Sequence, residues 1–250
     1  MSEQTKDAPG LKFSWSHQNR IHRLLVRVIN KVLCIVPFKL KYFMVRQVKK
    51  RQVPYSLIKG LSVVQVGAPY DTLNAGRSRG MMFSLMAGER GKVLIVEPLQ
   101  ESVDEFRRRL LELKLSNTAV HHAGAWSSKT ESVINVDAAH PATNFTSDTV
   151  DYSEDRISEF SQVKIQLDTL DNIFAQNKLD RVDLVSITTN WAEEEILKGL
   201  ESTLAHGVKY VCLAYGKNGE DYSEQMEQMG YFALSHDDRG VTYQRKVNEE

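Results

Sequence analysis

From residue 61 to residue 244 the pattern of apolar and polar positions alternates between two textures. Short, β-branched and almost wholly apolar runs read as strands buried on both faces of a parallel sheet. Between them lie stretches with helical apolar spacing. The predicted strands are Leu61–Val66, Val93–Val96, Ala119–His122, Val182–Thr188 and Lys209–Ala214. The predicted helices cover Arg77–Ala87, Glu101–Leu115, Leu170–Gln176, Ala192–Ala205 and Tyr222–Met229. Ser132–Val136 and Val163–Leu167 read as strands that bracket a polar excursion containing His140, Pro141, Asn144 and Phe145. The last two runs, Phe232–Ser235 and Val241–Gln244, are joined through Asp237-Asp238-Arg239-Gly240 and predict a β-hairpin. Alternating strand and helix closed by a hairpin predicts an α/β, Rossmann-like fold. Its sheet is mostly parallel and seven-stranded, with a C-terminal antiparallel hairpin.

The N-terminal part reads differently. Ile21, Leu24, Leu25, Val28, Val32 and Leu33 fall on one helical stripe, and Arg20, Arg23, Arg27 and Lys31 form a second stripe beside it. Pro37 interrupts the pattern, and a basic-apolar stretch continues from Phe38 to Arg51. These features predict a basic amphipathic helical arm over residues 1–58 and an α/β domain over residues 59–250. The apolar run is too short to span a bilayer, and no small-residue cleavage site follows it. Two readings stay open for the arm. It caps the sheet and shows its basic side to water, or it lies on an anionic membrane surface through residues 16–51. Nucleic acid is disfavoured, because the interleaved aromatics and glycine-rich stacking signals are missing.

Charge sharpens that division. The formal net charge is zero, yet residues 1–60 hold 13 Lys and Arg against 2 Asp and Glu, and the remainder holds 19 against 30. Composition is otherwise that of an ordinary globular protein, with 42% hydrophobic and 26% charged residues. The two cysteines, Cys34 and Cys212, each sit in an apolar run and read as packing residues. They make no disulfide framework or zinc motif, which predicts a reducing, cytoplasmic setting, with the arm free to meet the inner face of the membrane. No metal-ligand spacing appears, and nothing indicates an oligomeric state.

The chemistry is concentrated at two strand ends. Ser62-Val63-Val64-Gln65-Val66 runs into the small-residue turn Gly67-Ala68-Pro69, and Val93–Val96 runs into Glu97-Pro98. In a doubly wound fold, such a turn lets a ligand approach the backbone, and an acid ending the next strand accepts both ribose hydroxyls. The pair predicts an adenosine-containing cofactor. A nicotinamide-dependent dehydrogenase is disfavoured, since only Gly67 of a GxGxxG turn is in place. His121 and His122 are neighbours on a strand and point to opposite faces.

Five motifs in order carry a family resemblance: Gln65-Val66-Gly67-Ala68, Glu97-Pro98, Ala125-Trp126-Ser127, Thr169-Leu170-Asp171, and Glu193 followed by Leu197-Lys198-Gly199. The chain resembles the FkbM family of S-adenosylmethionine-dependent methyltransferases over roughly residues 60–215. The resemblance implies a class I methyltransferase fold and S-adenosylmethionine as cofactor. It implies cofactor contacts from Gln65, Gly67, Ala68, Asp71, Glu97, Pro98, Ala125 and Trp126. The acceptor it implies is a hydroxyl on a glycan, glycolipid or small metabolite. Arg77, Arg79 and Asn144 lie in segments that would meet the substrate. At the fourth principal strand the resemblance places the catalytic function on Thr188, Asn190 and Glu193. The family's Asp, Glu and Gly there are replaced by Thr188, Asn190 and Trp191. Threonine and asparagine orient a hydroxyl but are not bases at neutral pH. That substitution motivates a second reading, a catalytically silent binding or scaffold protein on the same fold.

Overall fold

The computed structural model describes residues 36–137, 144–146, 160–216 and 219–246. The predicted helix at 16–33, Cys34 and the His140–Thr143 part of the excursion lie outside the described residues. The described residues other than Val36 belong to one compact unit, Pro37–Glu250.

Seven strands form the main sheet. They are β1 (Ser62–Val66), β2 (Lys92–Glu97), β3 (Thr118–His122), β8 (Leu184–Ile187), β9 (Tyr210–Ala214), β10 (Tyr231–His236) and β11 (Gly240–Arg245). Their spatial order is β10-β11-β9-β8-β1-β2-β3. Pairing is parallel from β3 through β9, and β11 lies antiparallel between β9 and β10. The chain order reverses at β1, which has β2 on one side and β8 on the other. In open parallel sheets such a switch point opens a ligand crevice at the carboxyl ends of the strands. This arrangement is the class I methyltransferase topology.

The apolar runs are continuous because both faces of the sheet are covered. On one face Val64, Val66, Leu94, Val96, Val185 and Ile187 pack under α5 (Leu170–Gln176), α6 (Glu193–Lys198), α7 (Glu201–His206) and α8 (Ser223–Gln228). On the other, Val63, Val93, Ile95, Leu184 and Cys212 meet α1 (Phe38–Lys49), α3 (Arg79–Met86) and α4 (Gln100–Leu113). The C-terminal part of the basic N-terminal stretch thus supplies core residues: Phe38, Tyr42, Tyr55 and Ile58 are all buried with Phe83. Cys212 is buried without a disulfide partner.

Two predicted helices differ in the structure. The 67–76 loop contains a short helix, α2 (Tyr70–Asn74), and α3 starts after Ser78, whose hydroxyl accepts from the Met81 amide. The single helix expected over 192–205 breaks into α6 and α7 around Gly199. A Cβ on Gly199 would lie 2.0 Å from the Trp126 carbonyl oxygen, so the chain is pinned there against a neighbouring loop.

The bracketing strands of the excursion form their own sheet. β5 (Thr130–Val136) pairs antiparallel with β7 (Ser161–Asp168), and two-residue strands β4 (Gly124–Ala125) and β6 (Phe145–Thr146) complete the order β4-β7-β5-β6. Ile134, Ile165 and Leu167 turn inward from it, packed with Leu99 and against Trp126.

Candidate active site

A cavity lies where the carboxyl ends of β1, β2 and β8 face the small sheet. The space between its walls, open mouth included, is about 730 Å3. Of the residues singled out in the sequence, Gly67, Glu97, Pro98, Ala125, Trp126, Asn144, Thr188 and Asn190 line it. Gln65, Ala68, Asp71, Arg77, Arg79 and Glu193 are not in its wall.

Gly67 makes the turn after β1 at φ +82, a left-handed conformation that costs other residues about 1–2 kcal/mol. A Cβ here would stand 2.5 Å from the Thr188 carbonyl oxygen. The turn is clamped on both sides: the Gly67 amide donates to Val96 O, and the Thr188 amide donates to Val66 O. Beneath it the buried Gln65 amide nitrogen donates to Gly67 O at 2.9 Å and to Thr188 Oγ1 at 2.7 Å. Gln65 therefore stands behind the wall and braces the turn that faces the cavity.

Glu97 ends β2 with its side chain buried. Oε2 accepts from the Ala68 amide at 2.7 Å, and Oε1 accepts from the Leu99 amide at 3.1 Å. Burial pushes its carboxyl up to about 7, against the pull of those two amides, with the Asp71 charge adding to the rise. An ionised carboxylate offers about four acceptor positions, so two remain for hydroxyl donors. Ala68 thus contributes its backbone amide to Glu97, and Asp71 contributes a nearby charge while its Oδ1 caps the Thr72 amide. Gly124, which has no side chain, and Ala125 line the cavity with Trp126.

The β8 side is uncharged. Thr188, Thr189 and Asn190 line it, and the Asn190 amide nitrogen donates to Asn144 O. Glu193, fully buried behind this loop, accepts at Oε1 from both the Thr189 amide (3.0 Å) and the Thr189 hydroxyl (2.9 Å). Burial raises this carboxyl too, to about 7, with the Tyr222 phenol beside it. Trp191 is at φ 70, the left-handed conformation. The loop thus keeps a backbone shape that suits glycine, while the sequence carries an indole.

The remaining motif residues tie the walls together. Ser127 Oγ donates to Glu195 Oε2 at 2.6 Å, and Glu195 also pairs with Lys198. Asp171 accepts from the Ser202 and Thr203 amides at the start of α7. Arg79 is almost wholly buried and ion-paired with Asp237 in the β10–β11 turn, and Arg77 is exposed, its carbonyl accepting from Arg239. Neither arginine reaches the cavity. His121 hydrogen-bonds Asn177 and His122 hydrogen-bonds Pro98 O, on opposite sides of β3.

Sequence reasoning missed most of the apolar wall: Leu99 after β2, and Ile134, Phe145, Ile165 and Leu167 from the small sheet. For the last two, alternation along β7 was the available signal, since Ile165 and Leu167 are buried and their neighbour Gln166 is exposed.

Comparison with known proteins places these motifs in one family. The model of the methyltransferase FkbM domain matches residues 65–233. Among solved structures, an FkbM methyltransferase from Methylobacillus flagellatus KT is 12% identical, with 90% of this chain and 59% of that chain covered and a TM-score of 0.45. A methyltransferase from Geobacter sulfurreducens is 12% identical over 90% and 89% of the two chains, with a TM-score of 0.46. An S-adenosylmethionine-dependent methyltransferase from Aquifex aeolicus is 17% identical over 87% and 94%, with a TM-score of 0.41. No curated protein matches the chain. The family match spans well over half of the residues and contains all three strand ends that face the cavity, so the chain belongs to the FkbM family of S-adenosylmethionine-dependent methyltransferases.

Proposed function

We propose that this protein methylates a hydroxyl group of a glycan, glycolipid or small metabolite in the cavity between the main and the small sheet. One observation carries the reading: a single cavity is lined by the Gly67 turn and Glu97 on its β1–β2 side and by Thr188 and Asn190 on its β8 side.

The residues on the first side fit the cofactor. Gly67 leaves bare backbone where a side chain would intrude, and the two spare acceptor positions of Glu97 suit a pair of ribose hydroxyls. Ala125 and Trp126 offer a small and a flat surface for a base. S-adenosylmethionine supplies an electrophilic sulfonium methyl group when bound.

On the second side the chain acts by positioning. Thr188 and Asn190 orient the acceptor oxygen by hydrogen bonds, and Glu193 acts through Thr189 by fixing the loop that carries them. Neither Thr188 nor Asn190 takes up a proton at neutral pH, so these side chains would orient the hydroxyl without accepting its proton. Glu97 is the ionisable side chain among the described residues of the cavity wall. That composition favours an uncharged acceptor held against an apolar surface. In the same reading, the basic segment within residues 16–51 brings the enzyme to an anionic membrane on the cytoplasmic side.

The test is transfer of label from methyl-tritiated S-adenosylmethionine to a panel of hydroxyl-bearing sugars, glycolipids and small alcohols. The reading expects an alkali-stable methyl ether whose formation slows when Asn190 is replaced by alanine. Label in an alkali-labile ester or on nitrogen, or no transfer at all by cofactor-bound protein, would refute it.

A further inference from the structure

Helix α1 shows two faces of opposite design. Its inner face is fixed to the domain: Phe38 and Tyr42 are buried, the Tyr42 hydroxyl donates to Leu73 O at 2.9 Å, and Lys41 Nζ donates to Asn74 O at 2.6 Å. The Arg109 guanidinium lies 4.1 Å from the centre of the Phe38 ring. These contacts set the helix's rotation. They leave Leu40, Phe43, Met44 and Val48 outward, with exposures of 50%, 59%, 48% and 69%. The four fall at i, i+3, i+4 and i+8, a single stripe two turns long. Exposed Lys39, Arg46, Lys50 and Arg51 border it.

We infer that this outer stripe of α1 is the surface that docks on an anionic lipid bilayer. Leu40, Phe43, Met44 and Val48 enter the acyl boundary, and the bordering cations meet the headgroups. The inference rests on the membrane reading given above and assigns it a face. Charge chooses the occupant. A second copy of this helix, or the preceding segment with Arg20, Arg23, Arg27 and Lys31, would bring further positive charge against Lys39, Arg46, Lys50 and Arg51. An anionic surface satisfies both the apolar stripe and its basic border.

The position of the helix gives the docking a purpose. Leu73 and Asn74, which anchor α1, belong to α2, whose N-terminal neighbour Pro69 lines the cavity. Lys49 at the other end pairs with Asp238 in the β10–β11 turn. That turn adjoins Gly240, which pairs with Ala214 at the carboxyl end of β9. The helix therefore runs along the same edge of the sheet as the cavity, and docking would hold that edge against the bilayer.

The test is co-sedimentation of the full chain with vesicles of phosphatidylglycerol and phosphatidylcholine, beside vesicles of phosphatidylcholine alone. A Leu40→Gln/Phe43→Gln variant removes apolar surface without touching the inner face, and thermal melting checks its fold. The expected result is salt-sensitive binding to the anionic vesicles that falls about tenfold or more in the variant, with the melting temperature and cofactor affinity unchanged. Equal binding by the variant would overturn the assignment of this face and leave the membrane reading standing on the rest of the basic segment. Absence of vesicle binding by the wild-type chain would overturn both. A wild-type dimer that the variant converts to monomer, seen by light scattering, would make the stripe a protein interface and also overturn the proposal.

Discussion

The two ends of the cavity are held by different physics. At the β1–β2 end the backbone dictates the residue: Gly67 has positive φ and no room for a Cβ, and both Glu97 oxygens already hold backbone amides. At the β8 end side chains brace the loop, gripping both its backbone and one of its hydroxyls. Glu193 grips Thr189, Asn190 grips Asn144 O, and Trp191 occupies a left-handed position without being glycine. A backbone-dictated end tolerates little change, whereas a side-chain-held end can exchange residues while keeping its shape. This contrast explains how the cofactor motif survives in the sequence while the family's Asp, Glu and Gly at 188, 190 and 191 have been replaced.

The harshest way to break the comparison is Gly67→Ala. The methyl group must displace the Thr188 carbonyl in a strained conformation, so S-adenosylmethionine affinity should fall about a hundredfold or more, with a loss of roughly 2–3 kcal/mol in stability. Calorimetry and urea unfolding read the two effects. An alanine variant that binds normally would mean the turn does not shape the site.

Next in size is the pH response of Glu97. Ribose hydroxyls donate best to the ionised form, so affinity should weaken by about tenfold as pH falls from 8 to 6, through the raised value near 7. Stability of the ligand-free protein should run the other way. With folded values near 7 for Glu97 and Glu193, above the ordinary 4.5, the folded state holds extra protons between those limits. Their contribution is present below about 4.5 and is lost as pH rises to about 7. Melting temperature should thus be lower at pH 7.5 than at pH 5, and Glu193→Gln should flatten the slope without altering cofactor affinity.

The smallest effect sharpens the β8 side. Trp191→Gly relieves the left-handed strain and forfeits a half-buried indole, so net stability should move by no more than about 1 kcal/mol. Chemical unfolding checks this. A loss of about 3 kcal/mol or more, typical of a core tryptophan truncation, would show that the indole anchors the loop.

How far the sequence speaks follows from the same contrast. The seven principal strands were legible, because buried strands carry continuous apolar runs and the hairpin carries its own turn. Gly67 and Glu97 were legible as well, since local backbone demands leave a mark at fixed spacing. Residues whose partners are remote leave none. Arg79 reads as an exposed cation near a ligand loop, yet it is buried against Asp237, 158 positions away. Gly199 reads as part of a continuous helix, yet the helix ends there, with the Gly199 carbonyl accepting from the Asp171 amide and no room for a Cβ beside the Trp126 carbonyl. The two-residue strands β4 and β6 are too short to carry a period, so the small sheet that walls the cavity was legible only in its two long members.

The most direct measurement is calorimetric titration of S-adenosylmethionine into the wild-type protein, Glu97→Ala and Asn190→Ala, each shown to be folded by its melting curve. The account predicts micromolar binding by the wild type, a loss on the order of a hundredfold in Glu97→Ala, and unchanged affinity in Asn190→Ala. Equal losses in both variants, or no binding by the folded wild-type chain, would contradict the division of the cavity into a cofactor end and an acceptor end.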